Sequence, residues 1–274
     1  MGKPKLSTSN KNREQDKSKQ IRNTADVVAV IRYKEGEKGS PLIYDPFARL
    51  FVSPQGEEML KTALKSWPFF SDYLIVRAKF IDDHLRDFCK KEAVKQIVIL
   101  GAGNDMRAAR LNFLKGRKVF EADFPDQTIN KKQTLKKELG TLPENVIYVG
   151  TNLKETSLSN TLSQAGFNLE EKSAFVLEGL IYYLSPEDVE HLFEELSHIS
   201  LPGDLFLLDH ISQDMSQKSP DSEKSTKFPY PDDPINYLNN KGFKIIESAL
   251  LGNLTAKHFG KSYKERWWVI AFEK

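Results

Sequence analysis

The stretch Ile97-Val98-Ile99-Leu100-Gly101-Ala102-Gly103-Asn104-Asp105 decides how this 274-residue chain folds. Its first four residues form a short, continuous apolar run, the pattern of a strand buried on both faces. The run stops at two glycines, which let the backbone approach a ligand closely, and a helix N-terminus is expected behind them. Outward from this point the rhythm repeats in Lys118-Val119-Phe120, Val146-Ile147-Tyr148-Val149, Ala174-Phe175-Val176-Leu177 and Leu205-Phe206-Leu207-Leu208. Helical segments separate these runs. Asp126–Leu139 is one; another starts at Ser185-Pro186-Glu187-Asp188, where capping serine, first-turn proline and acidic residues agree. Strands alternating with helices predict a parallel sheet covered on both faces. Phe243–Leu251 and Arg266–Phe272 read as two strands with no helix between them, an antiparallel pair that closes the sheet. The expected fold class is α/β, a doubly wound and mostly parallel seven-stranded sheet.

Residues 23–92 read differently. Thr24 is an N-cap candidate for a short helix through Arg32, and Asp45-Pro46-Phe47-Ala48 is a cap followed by proline at the first helical position. Ile75, Phe80, Ile81, Leu85 and Phe88 recur at helical spacing through 71–91. Cys89 lies beside Leu85 and Phe88 on the apolar face, so packing, not nucleophilic chemistry, is expected of it. The predicted organisation is one domain over 23–274, with a helical cover at 23–92 and an α/β core at 93–274.

Composition narrows the class of protein. Charged residues make up 28% and apolar ones 39%, as in an ordinary globular chain. No run approaches the roughly 18 apolar residues of a membrane span, and the basic N-terminus has no apolar secretory segment behind it. A single cysteine allows neither an internal disulfide nor a zinc cluster, and a cytoplasmic setting is expected. The net charge of +2 conceals an uneven distribution. Residues 1–22 carry seven basic and two acidic side chains, so this segment is +5 and the rest of the chain −3. Such a polar, basic tail is expected to be disordered. RNA contact would rest on it alone, because the rest lacks the basic stripe with interleaved aromatics of a single-strand binding surface. Nucleic acid is therefore not an expected partner. The polar segment 212–234 is expected to be a loop or mobile cover at the ligand-binding edge.

The glycine turn excludes two ligand classes. A dinucleotide fingerprint wants Gly or Ala three residues after Gly103, where Met106 stands, and the Gly-Lys-Ser/Thr ending of a P-loop is absent. Asp123 follows the second strand, 20 residues after Gly103, and an acid there can accept hydrogen bonds from both ribose hydroxyls of a nucleoside. Asn152 and Glu178 end the third and fourth strands. A nucleoside site without a phosphate signature points to S-adenosylmethionine (SAM), which carries adenine and ribose but no phosphate.

From Thr24 to about Gly203 the chain resembles the leucine carboxyl methyltransferase family and its bacterial SAM-dependent relatives. The motifs that carry the likeness are Asp45-Pro46-Phe47-Ala48, Arg77-Ala78-Lys79-Phe80-Ile81-Asp82-Asp83, Ile99 through Arg107, Phe120-Glu121-Ala122-Asp123-Phe124-Pro125 and Glu178-Gly179-Leu180-Ile181-Tyr182-Tyr183-Leu184. The resemblance implies the Rossmann-like fold of class I SAM methyltransferases. It also implies that Arg77 pairs with the carboxylate of the methionine moiety, Gly101 and Gly103 line that moiety, and Asp123 holds the ribose. Leu153 would pack on adenine with Asn152 beside its amino group, and Glu178 would sit near the ammonium. The family usually has an acid where this chain has Asn152; an asparagine oxygen accepts the same hydrogen bond without charge.

The expected activity is SAM-dependent O-methylation of a carboxylate or hydroxyl on a small molecule or a protein, with a non-catalytic SAM-binding protein as the alternative. A carboxylate acceptor is already ionised at neutral pH and needs no general base. Arg32, Tyr183 and His210 are the candidates on the acceptor side, with Asp209 and Tyr182 beside them. No metal is expected. Trp267, Trp268 and Phe272 read as sheet packing.

Overall fold

The computed structural model describes residues 24–217 and 230–274. The basic tail 1–22 and the middle of the 212–234 segment lie outside the described residues. The described chain opens in a helix at 24–36 (α1). A 3₁₀ turn follows at Ala48–Phe51 after Asp45 accepts the Phe47 N–H at 3.1 Å. Next come α2 (Pro54–Ser66), capped by the Ser53 hydroxyl, and α3 (Phe70–Lys91). These helices supply Val27, Val30, Leu60, Ile81 and Leu85 to the same buried layer as one face of the sheet.

The sheet runs β1 (Gln96–Leu100), β2 (Lys118–Asp123), β3 (Val146–Gly150), β4 (Ser173–Leu177), β5 (Leu205–Ile211), β6 (Lys244–Leu250) and β7 (Trp267–Glu273), in the spatial order 3-2-1-4-5-7-6. The first five strands are parallel; β7 inserts antiparallel between β5 and β6. Alternation along each strand divides the core. Ile97, Ile99, Val119, Val176, Leu207 and Val269 face α3, whereas Val98, Phe120, Phe175, Phe206 and Phe272 face the helix Pro186–Ile199 (α4). On the second face Phe175 stacks on Phe206 and Phe206 on Phe272, with centroids 4.7 and 5.1 Å apart. This aromatic ladder ties the antiparallel newcomer to the parallel strands. The expected cap of α4 is present as a capping box: Ser185 accepts from the Asp188 N–H and Asp188 from the Ser185 N–H.

Two expectations require correction. The last two strands are antiparallel neighbours, but a helix, Leu251–Phe259 (α5), lies between them. Leu251, Leu254 and Thr255 fall on one helical face, Gly260 ends the helix at φ +67°, and α5 lies against α3, which buries its apolar stripe. The fifth strand, whose apolar run Leu205-Phe206-Leu207-Leu208 predicts that His210 stands at its end, also continues three residues past that run, so Asp209 and His210 are interior strand residues. Both are buried.

His210 shares a face with Phe206 and Leu208, away from α3, and its ring stacks on Trp268 with centroids 6.1 Å apart. Burial pushes its pKa from 6.5 down to about 4, opposed in part by the Pro231 carbonyl. The unfolded chain therefore takes up this proton first as the pH falls. The expected outcome is a loss of stability on the order of 2–3 kcal/mol between pH 6.5 and 4 that His210→Leu does not show. Urea unfolding midpoints of both proteins at pH 7, 5.5 and 4.5 measure the difference.

Candidate active site

A cavity opens at the carboxyl edge of the parallel strands, where β1 lies between β2 and β4 and the chain order reverses. Its floor is the glycine turn. Gly101 and Gly103 have φ of +65° and +45°, and the N–H groups of Gly101 and Ala102 both donate to the Ala122 carbonyl, at 2.9 and 3.2 Å. A Cβ on Gly101 would come within 3.1 Å of Leu180 Cδ1, and one on Gly103 within 3.1 Å of Ala25 Cβ. The second contact shows why the turn is bare: α1 lies directly across it. Asp26 on α1 accepts from Asn104 Nδ2 at 3.1 Å and from the Ser53 hydroxyl at 2.8 Å, so the cover is hydrogen-bonded to the turn. Asp123 at the end of β2 accepts the N–H groups of Gly103 and Phe124, each at 2.6 Å, which fixes its carboxylate in the cavity.

Glu178, directly after β4, is held by three arginines. Arg107 Nη1 lies 2.6 Å and Arg77 Nη2 2.9 Å from its oxygens, and Arg32 Nη2 lies 3.3 Å away. Burial alone would raise its pKa, but Arg107, Arg77 and Arg32 hold it well below the usual carboxylate range. Arg77 continues the network, donating to Asp209 at 2.9 Å, and Asp209 also accepts from the Gly179 N–H at 2.5 Å and Trp267 Nε1 at 2.8 Å. Arg107 in turn meets Asp82 at 2.6 Å and pairs with Asp105. Behind the glycine turn, Lys131 bonds Glu121 at 2.6 Å and the Asp105 carbonyl. Burial nevertheless pushes Glu121 up to about 7.

The residues expected from sequence for the cofactor, Arg77, Gly101, Gly103, Asp123, Asn152, Leu153 and Glu178, all line this one cavity. Arg32 and Tyr183 line it as well. His210 does not: strand alternation turns it into the opposite layer, so it is withdrawn as an acceptor-side residue. Asp209, on the other face, is taken up by Arg77, Gly179 and Trp267 and is not among the residues that line the cavity. Sequence reading missed Trp267. Because β7 runs antiparallel, its first residue stands at the same edge as the last residues of β1, β2 and β4, and Trp267 lines the cavity besides bonding Asp209. Arg107, Asp82 and Asp105 were also missed as a unit, although all three stand inside the motifs that carried the family resemblance. Cys89 is buried with a raised pKa, in keeping with packing.

The cavity has two unlike sides. The carboxyl edge of the sheet contributes Asp105, Asp123, Asn152 and Glu178; α1, α2, α3 and the start of β7 contribute Val28, Met59, Ala63, Phe70, Leu74 and Trp267. Such a site can bind a polar ligand against the sheet and an apolar one beneath the helices. Its polar side depends on the fully buried Arg107. Arg107→Met leaves Asp82, Asp105 and Glu178 short of a buried partner, and a loss of about 3–5 kcal/mol in urea-unfolding free energy is expected.

Comparison with known proteins agrees with this geometry. A profile of the leucine carboxyl methyltransferase family matches residues 25–197, well over half the chain. A Frankia alni protein with the provisional name S-adenosyl-L-methionine-dependent methyltransferase is 28% identical over 245 residues, 85% of this chain and 87% of that one. A Mycobacterium marinum protein of the same provisional name is 33% identical over 192 residues, 66% of this chain and 63% of its own length. Two solved structures share the fold. A provisionally named methyltransferase from Thermobifida fusca has a TM-score of 0.65 at 12% identity, covering 91% of this chain and 94% of its own. A DUF574 family protein from Streptomyces avermitilis has a TM-score of 0.66 at 11% identity, covering 92% and 97%. With the α/β methyltransferase fold, the glycine turn and the profile match in agreement, the chain belongs to the leucine carboxyl methyltransferase family.

Proposed function

We propose that the protein transfers the methyl group of SAM to an oxygen of its acceptor, and that this oxygen belongs to a carboxylate. The observation that supports the donor is the meeting of Asp123, the Gly101–Gly103 turn, Arg77 and Glu178 on one side of one cavity. The residues fit the donor's parts. Asp123, anchored by two backbone N–H groups, has the lone pairs to receive ribose hydroxyls. Arg77 and Glu178 offer opposite charges for the amino-acid end, and Asn152 and Leu153 an amide oxygen and an apolar surface for adenine. When bound, SAM supplies an electrophilic methyl carbon on a sulfonium. The chain's task is to hold the acceptor oxygen in line with that carbon and exclude water.

The carboxylate assignment follows from the titratable groups. A hydroxyl acceptor needs a base to take its proton, and among the described residues no histidine lines the cavity. Glu178, held well below the usual carboxylate range by its arginines, is too weak a base for that work. Burial raises Tyr182 well above the usual phenol range, with Asp209 adding to the shift, so it stays neutral. A carboxylate needs no deprotonation at neutral pH.

Isothermal calorimetry with SAM is expected to show saturable binding to the wild-type protein, with Arg77→Ala and Asp123→Ala each weaker by about tenfold or more. That loss corresponds to one charge-assisted hydrogen bond at the low end of its range. Binding absent at millimolar SAM, or unchanged in both variants, counts against the assignment. In an extract supplied with methyl-labelled SAM, the labelled product is expected to release methanol in mild alkali, as an ester does and an ether does not. The turnover rate is expected to be flat between about pH 6 and 9.

A further inference from the structure

Arg32 is the loose member of the buried charge network. It is 5% exposed, lines the cavity, and meets Glu178 through Nη2 alone, at 3.3–3.4 Å against 2.6 Å for Arg107 and 2.9 Å for Arg77. Its Nε–H is buried and bonded to nothing among the described residues. A buried donor in that condition forfeits roughly 1–3 kcal/mol, and native structures rarely leave one so. The other cations at the cavity have partners or work of their own. Arg77, paired with Glu178 and Asp209, faces the amino-acid end of the donor on the reading above, and Lys154 pairs with Asp188 at 3.2 Å.

Arg32 also stands at the border between the two sides. Val28, one helical turn earlier on α1, belongs to the apolar wall with Met59, Ala63, Phe70, Leu74 and Trp267. We infer that this side of the cavity takes a free apolar monocarboxylic acid, whose carboxylate is bound by Arg32 and whose alkyl or aryl body lies between α1, α2 and α3. The inference rests on the methyl-transfer reading and names its acceptor class. A peptide chain is disfavoured physically. This wall is made of helices, whose interior N–H and C=O groups are already paired, so each peptide amide brought in would lose its water without gaining a partner. An alkyl or aryl chain has no such groups, and the guanidinium fork satisfies the one charge it carries. Arg32 is thus a specificity-determining residue, while Arg77 and Arg107 keep Glu178 in place.

The test uses the full chain saturated with S-adenosylhomocysteine and follows binding of octanoate and 3-phenylpropionate by calorimetry and ligand-observed NMR. Both acids are expected to bind, with affinity rising about two- to fourfold per methylene from butyrate to octanoate. 1-Octanol and glutarate are expected to bind at least tenfold more weakly than octanoate. Arg32→Gln is expected to lose at least tenfold in octanoate affinity and Arg32→Lys to recover part of it. Affinity that does not change along the acid series overturns the inference from the wild-type protein alone, whatever the variants do. An N-acetylated tripeptide ending in leucine that binds in preference to octanoate overturns the free-acid assignment. In both cases bound S-adenosylhomocysteine leaves the methyl-transfer reading standing. A wild-type protein that binds no S-adenosylhomocysteine removes that reading, and this inference with it.

Discussion

The charged groups where the helical cover meets the sheet are arranged around one carboxylate, Glu178, and the arginines that keep it ionised while buried. An isolated carboxylate in such a place would protonate or draw in water. Three guanidinium groups prevent that, and two of them are held by further acids. Arg107 is braced by Asp82 and Asp105, and Arg77 by Asp209; among the described residues Arg32 has no second acid. The cover helices and the sheet therefore meet through charge as well as through apolar packing. Arg32 and Arg77 arrive from α1 and α3, Glu178 and Asp209 from β4 and β5. A network of this kind contributes little net stability, because desolvation offsets most of the attraction, but it strongly disfavours any arrangement that leaves a member unpaired. It fixes the position of the cover on the sheet.

Much of the fold was legible in the sequence because the central parallel strands β1, β4 and β5 are buried on both faces and so read as unbroken apolar runs. The glycine turn and the acid 20 residues later were legible for a related reason: close approach of α1 leaves no room for a Cβ at Gly103, and the strand end leaves Asp123 in the cavity. Failures came where a residue's environment is set by a distant element. Asp209 and His210 are adjacent in sequence and both polar, and nothing local says that one meets Arg77 while the other is pressed against Trp268. The segment Leu251–Phe259 carries a helical stripe that is short and interrupted by polar residues. α3, more than 150 positions away, makes that stripe worth burying. Trp267 looked like sheet packing because its role depends on strand direction, which an apolar run does not encode.

The two sides of the cavity also differ in how strongly sequence specifies them. The polar side uses residue types with few substitutes, such as a left-handed glycine, a carboxylate with two backbone donors or a guanidinium with two acids. Any apolar residue of suitable volume serves on the helical side, so the pattern there says helix and core and nothing about shape. On the reading proposed above, acceptor preference is written in that side, and only the assembled structure shows which residues share it.

The place of β7 has a consequence for how such a chain is made. The strand runs between β5 and β6, so a nascent polypeptide that has emerged only through β5 presents an unpaired, strongly apolar strand edge. That intermediate already holds the glycine turn and Glu178. It lacks Trp267 and its bond to Asp209. Pairing of β7 thus covers the sticky edge and completes the cavity wall in one event. Until β7 pairs, the open edge of β5 is an aggregation hazard for the growing chain.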